Sequence, residues 1–342
     1  MNNSTYDESI QILRNCYSDQ GTSCIRTEKL KNEQPGDWML DIIVPAYNVE
    51  AYIHACIRSI LKQKTDVLFR VIIVNDGSKD RTGEYINQYR NEKNVLIIHQ
   101  ENKGLAGARN TGLLHTRAKY VMFVDSDDCL TLDAVDKLVS NAEKTGADIV
   151  AGSYYNFRKY CWFHKKYIQK AGILLSEQEL KGHTWGKVYR RELFGNVQFP
   201  ENYWFEDSVM HQIIFPKASV LFGISDVIYE RRVNRKSITQ TSAGNPKSLD
   251  SLWVTLKLMQ DREKLGMRVT QSYYEYMLNQ IRLTYTRVSK LGKEIQKAVF
   301  IVMAYELERN FRGYSSENLS GRKLEQAILA FEFEQFDAYV RK

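Results

Sequence analysis

The segment Tyr120-Val121-Met122-Phe123-Val124-Asp125-Ser126-Asp127-Asp128 decides the fold. Five residues of mainly apolar, strand-forming type are typical of a strand that is buried on both faces of a parallel sheet. Four polar residues, three of them acidic, follow directly, and packing alone would not place them there. Because ligands bind beyond the carboxyl ends of strands in open α/β sheets, the segment predicts both a central strand and a ligand site.

Similar apolar runs occur along the chain and alternate with helical stretches. The runs are 42–44, 69–74, 95–98 and 149–150, and the helical stretches lie at about 53–61, 82–90, 105–116 and 133–144. Asn48 is placed to cap the first of these helices. The alternation predicts the α/β class, with a Rossmann-like, parallel, doubly wound sheet flanked by helices.

The two ends of the chain have a different pattern. Leu249, Leu252, Leu256 and Met259 fall on one helical face, and similar stretches at 273–283 and 297–308 predict a C-terminal α-helical domain. The first 38 residues contain no clear strand, and a short helix is expected at 8–17. We therefore predict an N-terminal, partly helical extension at 1–38, an α/β domain at 39–244 and a helical domain at 245–342.

The composition is that of a globular protein, with 43% hydrophobic and 26% charged residues in 342, which excludes a disordered or fibrous chain. The sequence shows no signal pattern at its start and no apolar run near the ~20 residues that span a bilayer. Five scattered cysteines fit a reduced compartment, so we expect a cytoplasmic protein. The net charge of +7 suits anionic substrates or lipid surfaces, and we predict no nucleic-acid partner.

The acidic cluster has the chemistry of a metal site. Residues i and i+2 of an extended segment point the same way, so Asp125 and Asp127 would share a face and Ser126 would turn away. Two carboxylates on one side suit Mg²⁺ or Mn²⁺, whose other ligands would be water and a substrate diphosphate. The structural alternative is a solvated turn before a helix that starts near Asp133.

Two other predicted strands end in polar residues, in Pro45-Ala46-Tyr47-Asn48 and Asn75-Asp76-Gly77-Ser78. Asp76 can accept a hydrogen bond from a uracil N–H, while Gly77 permits close backbone approach and Tyr47 can stack on the same base. An ordinary Asp-Gly turn and a packed aromatic are the alternatives.

Three further features carry candidate site residues. One is a glycine-rich helix start, with Gly104, Gly107, Gly112 and Arg109. Its backbone N–H groups and its guanidinium can bind a phosphate or a base, or its small residues can serve tight packing of the helix on the sheet. The segment Trp204-Phe205-Glu206-Asp207 sets two carboxylates behind aromatics, so that one is a candidate base; a capped helix at 206–215 is the alternative. A basic loop, able to bind a diphosphate or simply solvated, contains Arg231, Arg232, Arg235 and Lys236.

Taken in order, these motifs resemble family 2 glycosyltransferases with the GT-A fold, from about Asp41 to Gln240. Each motif is modest alone, and the ordered set is specific. The matching pieces are Ile43-Val44-Pro45-Ala46-Tyr47-Asn48, Asn75-Asp76-Gly77-Ser78, Asn102-Lys103-Gly104, Ala108-Arg109-Asn110-Thr111-Gly112, Asp125-Ser126-Asp127-Asp128, Trp185-Gly186-Lys187-Val188-Tyr189, Glu206-Asp207 and Ser237-Ile238-Thr239.

The resemblance implies roles for particular residues. Asp127 would bind the metal, Asp125 the metal or the ribose, and Asp207 would be the general base. The acceptor side would contain Trp185, Lys187 and Glu206. The nucleotide-sugar donor would be bound by residues from several motifs, namely Pro45, Tyr47, Asn48, Asp76, Lys103, Gly104, Arg109, Asp125, Ser126 and Arg232.

The implied activity is inverting transfer of one hexosyl or N-acetylhexosaminyl group from a UDP-sugar, with Mn²⁺ or Mg²⁺, to a glycan, lipid-linked or glycoprotein acceptor. Such an enzyme of bacterial polysaccharide or glycoconjugate biosynthesis would work in the cytoplasm or at the inner membrane face. The C-terminal helices would then serve acceptor binding, self-association or membrane contact. Gly186 departs from the family pattern, which commonly has Asn there, and the Gln-x-x-Arg-Trp motif of processive synthases is absent. A metal-dependent nucleotidyltransferase and a non-catalytic binding module are the alternatives.

Overall fold

The structure is a computed structural model that describes residues 3–28, 30, 37–158, 161–233 and 242–341. These residues form two compact units. The sheet unit contains residues 23–202 and 209–234, and the helical unit contains segments 1–22, 203–208 and 235–342, each as far as it is described. The domain boundaries expected from the sequence remain predictions.

As far as the structure describes it, the sheet unit is built on one mixed sheet of ten strands. Its strands are β1 (Leu40–Ala46), β2 (Phe69–Asp76), β3 (Val95–Gln100), β4 (Tyr120–Phe123), β5 (Cys129–Leu130), β6 (Ile149–Arg158), β7 (Cys161–Tyr167), β8 (Gly172–Leu174), β9 (Lys187–Arg190) and β10 (Leu221–Arg232). The order is β3-β2-β1-β4-β9-β6-β10-β5, with β7 paired to β6 and β8 to β10.

Helices cover both faces of this sheet. They are α2 (Ile53–Leu61), α3 (Thr82–Asn87), α4 (Gly104–Leu114), α5 (Ala134–Thr145) and the short α6 (Phe215–Lys217). The first helix of the chain, α1 (Asn3–Cys16), belongs to the helical unit. Single turns of 3₁₀-helix lie at Glu177–Glu179 and Arg191–Phe194, and a π-helix lies at Met210–Ile214. The predicted α/β class with flanking helices is confirmed.

The first four strands bring their carboxyl ends to one edge because they are parallel and in close register. Ala46 pairs with Asn75, Asp76 with Gln100, and Ile43 with Phe123. Strands β1 and β2 are buried along nearly their whole length, as continuous apolar runs require in a sheet that is covered on both faces. The polar residues after each strand therefore meet at this edge.

Beyond β4 the sheet departs from the parallel pattern expected. Strand β9 lies antiparallel to both β4 and β6, and β7 and β8 also pair antiparallel. The chain reaches these strands through a hairpin or through loops, whereas a parallel neighbour needs a crossover that usually contains a helix. Strand β10 follows such a crossover and runs parallel to β6.

Helix α4 packs very closely on strand β1. A Cβ at Gly112 would lie 2.5 Å from Ile43 Cγ2, inside any normal contact distance. The glycine at this position is therefore required by packing, which was the structural alternative for this small-residue helix.

The helical unit contains α1 (Asn3–Cys16), α7 (Asp250–Lys264), α8 (Gln271–Arg287), α9 (Lys293–Asn310), α10 (Leu319–Leu329) and α11 (Phe333–Val340), with a 3₁₀ turn at Pro246–Leu249 before α7. The predicted C-terminal helices are confirmed. Helix α1 packs on α9, where the Tyr6 hydroxyl donates to Glu306 at 2.7 Å and the Tyr6 ring contacts Tyr305. In the part of the chain that the structure describes, no helix has the length and apolar character to cross a membrane.

We predict that Gly112→Ala lowers the free energy of unfolding by about 1–3 kcal/mol, because the new methyl group overpacks the contact with Ile43. Thermal denaturation measures it, and a fall of several degrees is expected. Leu114→Ala, on an exposed side of the same helix, is the matched control and should change little. An unchanged melting temperature for Gly112→Ala would contradict the tight packing.

Candidate active site

The acidic residues after β4 form a tight turn. The amide of Asp128 donates to the carbonyl of Asp125 at 3.0 Å, so the segment is not extended as expected. Burial nevertheless alternates along it, with Asp125 and Asp127 half-exposed and Ser126 and Asp128 buried. Two carboxylates are therefore accessible at the sheet edge, and a third lies beneath them.

Strand β10 holds this turn in place. The Asp125 amide donates to the Tyr229 hydroxyl oxygen at 3.1 Å, and the Arg232 amide donates to Asp128 Oδ1 at 2.6 Å. The Arg232 side chain donates from Nε to the Asp127 carbonyl at 2.8 Å, and its guanidinium lies over the rings of Tyr52 and Phe157. Arg232 thus supports the turn directly.

The expected basic loop is not a loop at its start. Arg231 and Arg232 are the last residues of strand β10, and Arg231 donates to Asn156 Oδ1 on the neighbouring strand. Arg235 and Lys236 lie outside the described residues, as does the Ser237-Ile238-Thr239 motif.

The turn concentrates negative charge. Burial, with the nearby carboxylates of Asp125 and Asp127, raises the pKa of Asp128 to about 8. A cation pairs with one of these carboxylates: Arg109, buried on α4, donates from Nη2 to Asp125 Oδ1 at 3.0 Å. Arg109 is thereby placed at a carboxylate, and Asp125 has one oxygen already bonded.

A divalent cation fits this arrangement. Carboxylate oxygens are the hard ligands that Mg²⁺ and Mn²⁺ prefer, and a 2+ ion would relieve the repulsion that raises the pKa of Asp128. Among the described residues, no three His, Cys, Asp or Glu side chains gather into a complete metal site. An ion at Asp127 and Asp125 would therefore need oxygens from water or a substrate.

Asp76 lies at the same edge, at the end of β2. Its Oδ1 accepts from the Lys103 amide at 2.8 Å and from Gln100 Nε2 at 2.7 Å, and its carbonyl accepts from Asn102. Gly77 has φ +70°, and a Cβ there would lie 2.9 Å from the Asn102 amide nitrogen. Both bonds that described residues make to the carboxylate reach Oδ1, so Oδ2 remains able to accept from a ligand.

The neighbouring residues that were predicted to bind the nucleotide-sugar donor differ in their exposure. Pro45 is buried within β1, whereas Tyr47 is largely exposed and able to stack on a ligand. Lys103 is exposed at the start of α4, where Gly104 has φ +74° and open space around its Cα. The positive φ, which favours glycine, accounts for Gly104.

Asn48 does not cap helix α2, which begins at Ile53 after Tyr52. Asn48 instead has φ +51°, accepts from the Lys79 amide at 2.8 Å, and donates its own amide to Ser78 Oγ. It joins the loops after β1 and β2, because its side chain can reach the second loop when the backbone is left-handed.

The Trp-Gly-Lys motif lies beneath the acidic turn. Trp185 is buried between the rings of His183 and Tyr229, with centroids 3.5 Å and 4.5 Å away. Lys187 is buried and donates to the carbonyl of His183 at 2.8 Å. Burial and the nearby Lys187 lower the pKa of His183 well below its usual range.

These contacts give the motif an observable local role. Trp185 supports Tyr229, whose hydroxyl holds Asp125, and Lys187 holds the loop that carries Trp185. Gly186 has φ +72°, a backbone conformation that glycine and asparagine adopt most readily. This conformation accounts for the glycine here and for the asparagine that the family pattern commonly has at the same position. The acceptor-side roles of Trp185 and Lys187 remain predictions.

Glu206 and Asp207 belong to the helical unit. They lie in turns directly before a helical segment that begins at Ser208 and continues as the π-helix at Met210–Ile214, so the helix starts two residues later than the one expected at 206–215. Glu206 is buried and Asp207 is half-exposed. The preceding Phe205 has φ +64°, a strained conformation for an aromatic residue that costs about 1–3 kcal/mol.

Three residues near the candidate groups were missed by sequence reasoning. Asp128 was quoted in the acidic cluster without a role of its own, and Tyr229 lies inside an apolar strand where nothing singles out its hydroxyl. Arg287, on helix α8, lies over the Phe205 ring with 3.7 Å to the centroid. Only folding brings residues this distant in sequence together.

The comparison with known families agrees with this arrangement. The sequence model described as "Glycosyl transferase family 2" matches residues 41–202, which include β1 to β9 and the acidic turn. Residues 41–202 are thus similar to glycosyl transferase family 2. The matched segment ends before Glu206 and Asp207.

Two curated proteins that are similar to this chain are glycosyltransferases by name. The chain is 33% identical over 222 residues to glycosyltransferase GlyA of Streptococcus pneumoniae, covering 60% of this chain and 32% of GlyA. It is 34% identical over 221 residues to the uncharacterized glycosyltransferase EpsJ of Bacillus subtilis, covering 59% of this chain and 63% of EpsJ. The chain thus spans less than two thirds of the length of either protein.

Among solved structures, S. aureus TarS 1–349 in complex with UDP-GlcNAc aligns with a TM-score of 0.68 at 18% identity, over 88% of this chain and 90% of that one. At this identity the likeness establishes the fold alone. The GT-A fold implied by the sequence is confirmed.

We predict that Tyr229→Phe weakens Mn²⁺-dependent binding of UDP by about 3- to 10-fold. The change keeps the ring stacked on Trp185 but removes the oxygen that accepts from the Asp125 amide, and one such bond contributes about 0.5–1.5 kcal/mol. Isothermal titration of UDP with Mn²⁺ measures it. Tyr89→Phe, which removes a hydroxyl bonded to His54, is the control. Equal affinity of Tyr229→Phe and wild type would show that this bond does not shape the site.

Proposed function

We propose that the chain is an inverting glycosyltransferase that moves a single sugar from a UDP-sugar donor to a glycan acceptor. The observation that carries the proposal is the acidic turn at 125–128, located at the carboxyl edge of a family 2 sheet together with Asp76. The acidic turn offers hard oxygen ligands for a metal ion that would also bind the diphosphate, and Asp76 offers a carboxylate oxygen for a nucleotide base.

The donor would lie along this edge. Asp76 Oδ2 would accept the uracil N–H, exposed Tyr47 would stack on the base, and Asp125 would bond the ribose or share the metal. Asp127 would be the principal metal ligand, and a bound Mn²⁺ or Mg²⁺ would offset the charge on the departing UDP. The TarS complex with UDP-GlcNAc supports a UDP-sugar by fold-level analogy.

Asp207 would act as general base. Its half-exposed carboxylate would accept the proton of the acceptor hydroxyl while that oxygen attacks the anomeric carbon opposite the UDP group. The bond to UDP breaks as the new glycosidic bond forms, and the configuration inverts. An α-linked donor would give a β-linked product.

The biological setting belongs to the same proposal. The acceptor would be a lipid-linked, glycoprotein or other glycan of bacterial polysaccharide or glycoconjugate assembly, met in the cytoplasm or at the inner membrane face. A hexosyl or N-acetylhexosaminyl group would be transferred. Membrane contact or self-association would involve the C-terminal helices.

Two other functions give different products. A nucleotidyltransferase would release pyrophosphate from a nucleoside triphosphate, and a binding module would bind UDP-sugar without turnover. The three functions are separated by assaying the released UDP and pyrophosphate after incubation with UDP-sugars, or with UTP and a sugar phosphate. The glycosyltransferase releases UDP, the nucleotidyltransferase releases pyrophosphate, and the binding module releases neither.

We predict that Asp207→Asn and Asp127→Ala separate chemistry from binding. Asp207→Asn keeps the affinity for UDP with Mn²⁺ but lowers UDP release by roughly 10²–10⁴-fold, because the base is lost. Asp127→Ala weakens binding of UDP only in the presence of the metal, because a ligand of the ion is lost. Release of UDP from UDP-glucose and UDP-N-acetylglucosamine, with and without EDTA, measures both.

Asp133→Asn is the matched control, since this exposed carboxylate pairs with Lys137 just before helix α5. Its rate should equal that of wild type. Full activity of Asp207→Asn would refute the base assignment, and metal-independent activity of the wild type would refute the metal site.

A further inference from the structure

The turn that carries Asp207 is held by contacts within the helical unit. Tyr203 donates its hydroxyl to Asp19 Oδ1 at 2.6 Å, and its ring lies where a Cβ on Gly21 would stand. The Trp204 amide donates to Asp250 Oδ2 at 2.7 Å. These bonds fix the first half of the segment 203–208 to the N-terminal segment and to the start of helix α7.

The second half of the segment meets Arg287, in the last turn of helix α8. The Arg287 guanidinium stacks on the Phe205 ring, 3.7 Å from its centroid, and donates to Ser251 Oγ at 2.8 Å. Ser251 Oγ also lies 2.9 Å from Thr284 Oγ1, so the serine that receives the guanidinium is itself fixed. The planar cation therefore clamps an aromatic residue that precedes Asp207 by two positions.

The strained backbone at Phe205 makes this clamp significant. With φ +64°, the aromatic residue needs surrounding contacts to keep its conformation, and that conformation sets the direction of the chain into Glu206 and Asp207. The stacked guanidinium is such a contact.

Electrostatics place the Asp207 carboxylate near the same cation. Burial lowers the pKa of Arg287, and the Asp207 charge acts against that effect, followed by the Tyr276 phenol. Lys247, another cation at this segment, is paired with Asp250 at 3.0 Å. Among the described residues, further charged groups around the turn are Glu206 beside it in sequence, Asp19 at Tyr203, and Asp261, whose charge also acts on Tyr203.

We propose that Arg287 is a positioning residue for Asp207: its guanidinium fixes the turn through Phe205, and its positive charge acts on the carboxylate that follows. The inference rests on the proposed role of Asp207 as base. Removing the positive charge should raise the pKa of Asp207, so that the active, ionised base is lost at a higher pH than in wild type.

The test compares Arg287→Gln, Arg287→Lys and Asp207→Asn with wild type in UDP release from UDP-N-acetylglucosamine and UDP-glucose, with Mn²⁺, across pH. In Arg287→Gln we expect kcat to fall by about 10- to 100-fold with the donor KM little changed. The acidic midpoint of its kcat profile should move upward by about one pH unit. Arg287→Lys should keep the wild-type midpoint, because the charge remains, and lose part of kcat, because the planar stack is lost.

Two further variants sharpen the test. Arg282→Gln, at an exposed position of the same helix, should match wild type in rate and midpoint. The double variant Asp207→Asn with Arg287→Gln should be no slower than Asp207→Asn alone, because Arg287 acts through that carboxylate.

The outcomes distinguish this inference from the proposed function. Wild-type kcat in Arg287→Gln, or a lower kcat with an unmoved midpoint, overturns the role of Arg287 while an inactive Asp207→Asn leaves the base in place. Full activity of Asp207→Asn overturns both. If Arg287→Gln fails to fold, Arg287→Lys decides: an unchanged kcat or a shifted midpoint in that variant overturns the inference.

Discussion

Three carboxylates within four residues repel one another, and the carboxyl edge of the sheet depends on the bonds that hold them together. Strand β10 makes those bonds, because Tyr229 accepts from the Asp125 amide while Arg232 donates to both Asp127 and Asp128. Arg109 neutralises part of the charge from helix α4. Burial and the charges of Asp125 and Asp127 together raise the pKa of Asp128, and a divalent cation would offset the charge that the three carboxylates share.

The same constraint links the acidic turn to residues that lie far from it in the sequence. Tyr229 can hold Asp125 only if its ring is fixed, and Trp185 stacks on that ring. Trp185 in turn depends on a loop that Lys187 fastens by donating to backbone carbonyl groups. The Trp-Gly-Lys motif therefore supports the acidic turn through two contacts: the stack of Trp185 on Tyr229, and the hydrogen bonds of the buried Lys187 amine.

The sequence predicted the α/β class and the site edge because apolar runs and the polar residues after them are local signals. It misplaced the details that depend on partners. The segment after Val124 was expected to be extended, but the bond from Asp128 to Asp125 makes it a turn, and Arg232 was expected in a loop but ends a strand. Asn48 was expected to cap a helix, yet its partner is Lys79 on another loop. No pattern in the sequence could supply Tyr229 or Arg287, since each matters through a contact made only after folding.

The base candidate poses a different physical problem from the metal site. A carboxylate on a strand end inherits its position from the sheet, whereas Asp207 lies in turns that follow a left-handed phenylalanine, a conformation with no backbone ladder to maintain it. Its precision must come from side-chain contacts, and these are supplied by Asp19, Asp250 and Arg287. The N-terminal segment and the C-terminal helices lie outside the family 2 match. They provide the side-chain contacts that hold the turn of Asp207, and a base at this position would require such contacts to keep its geometry.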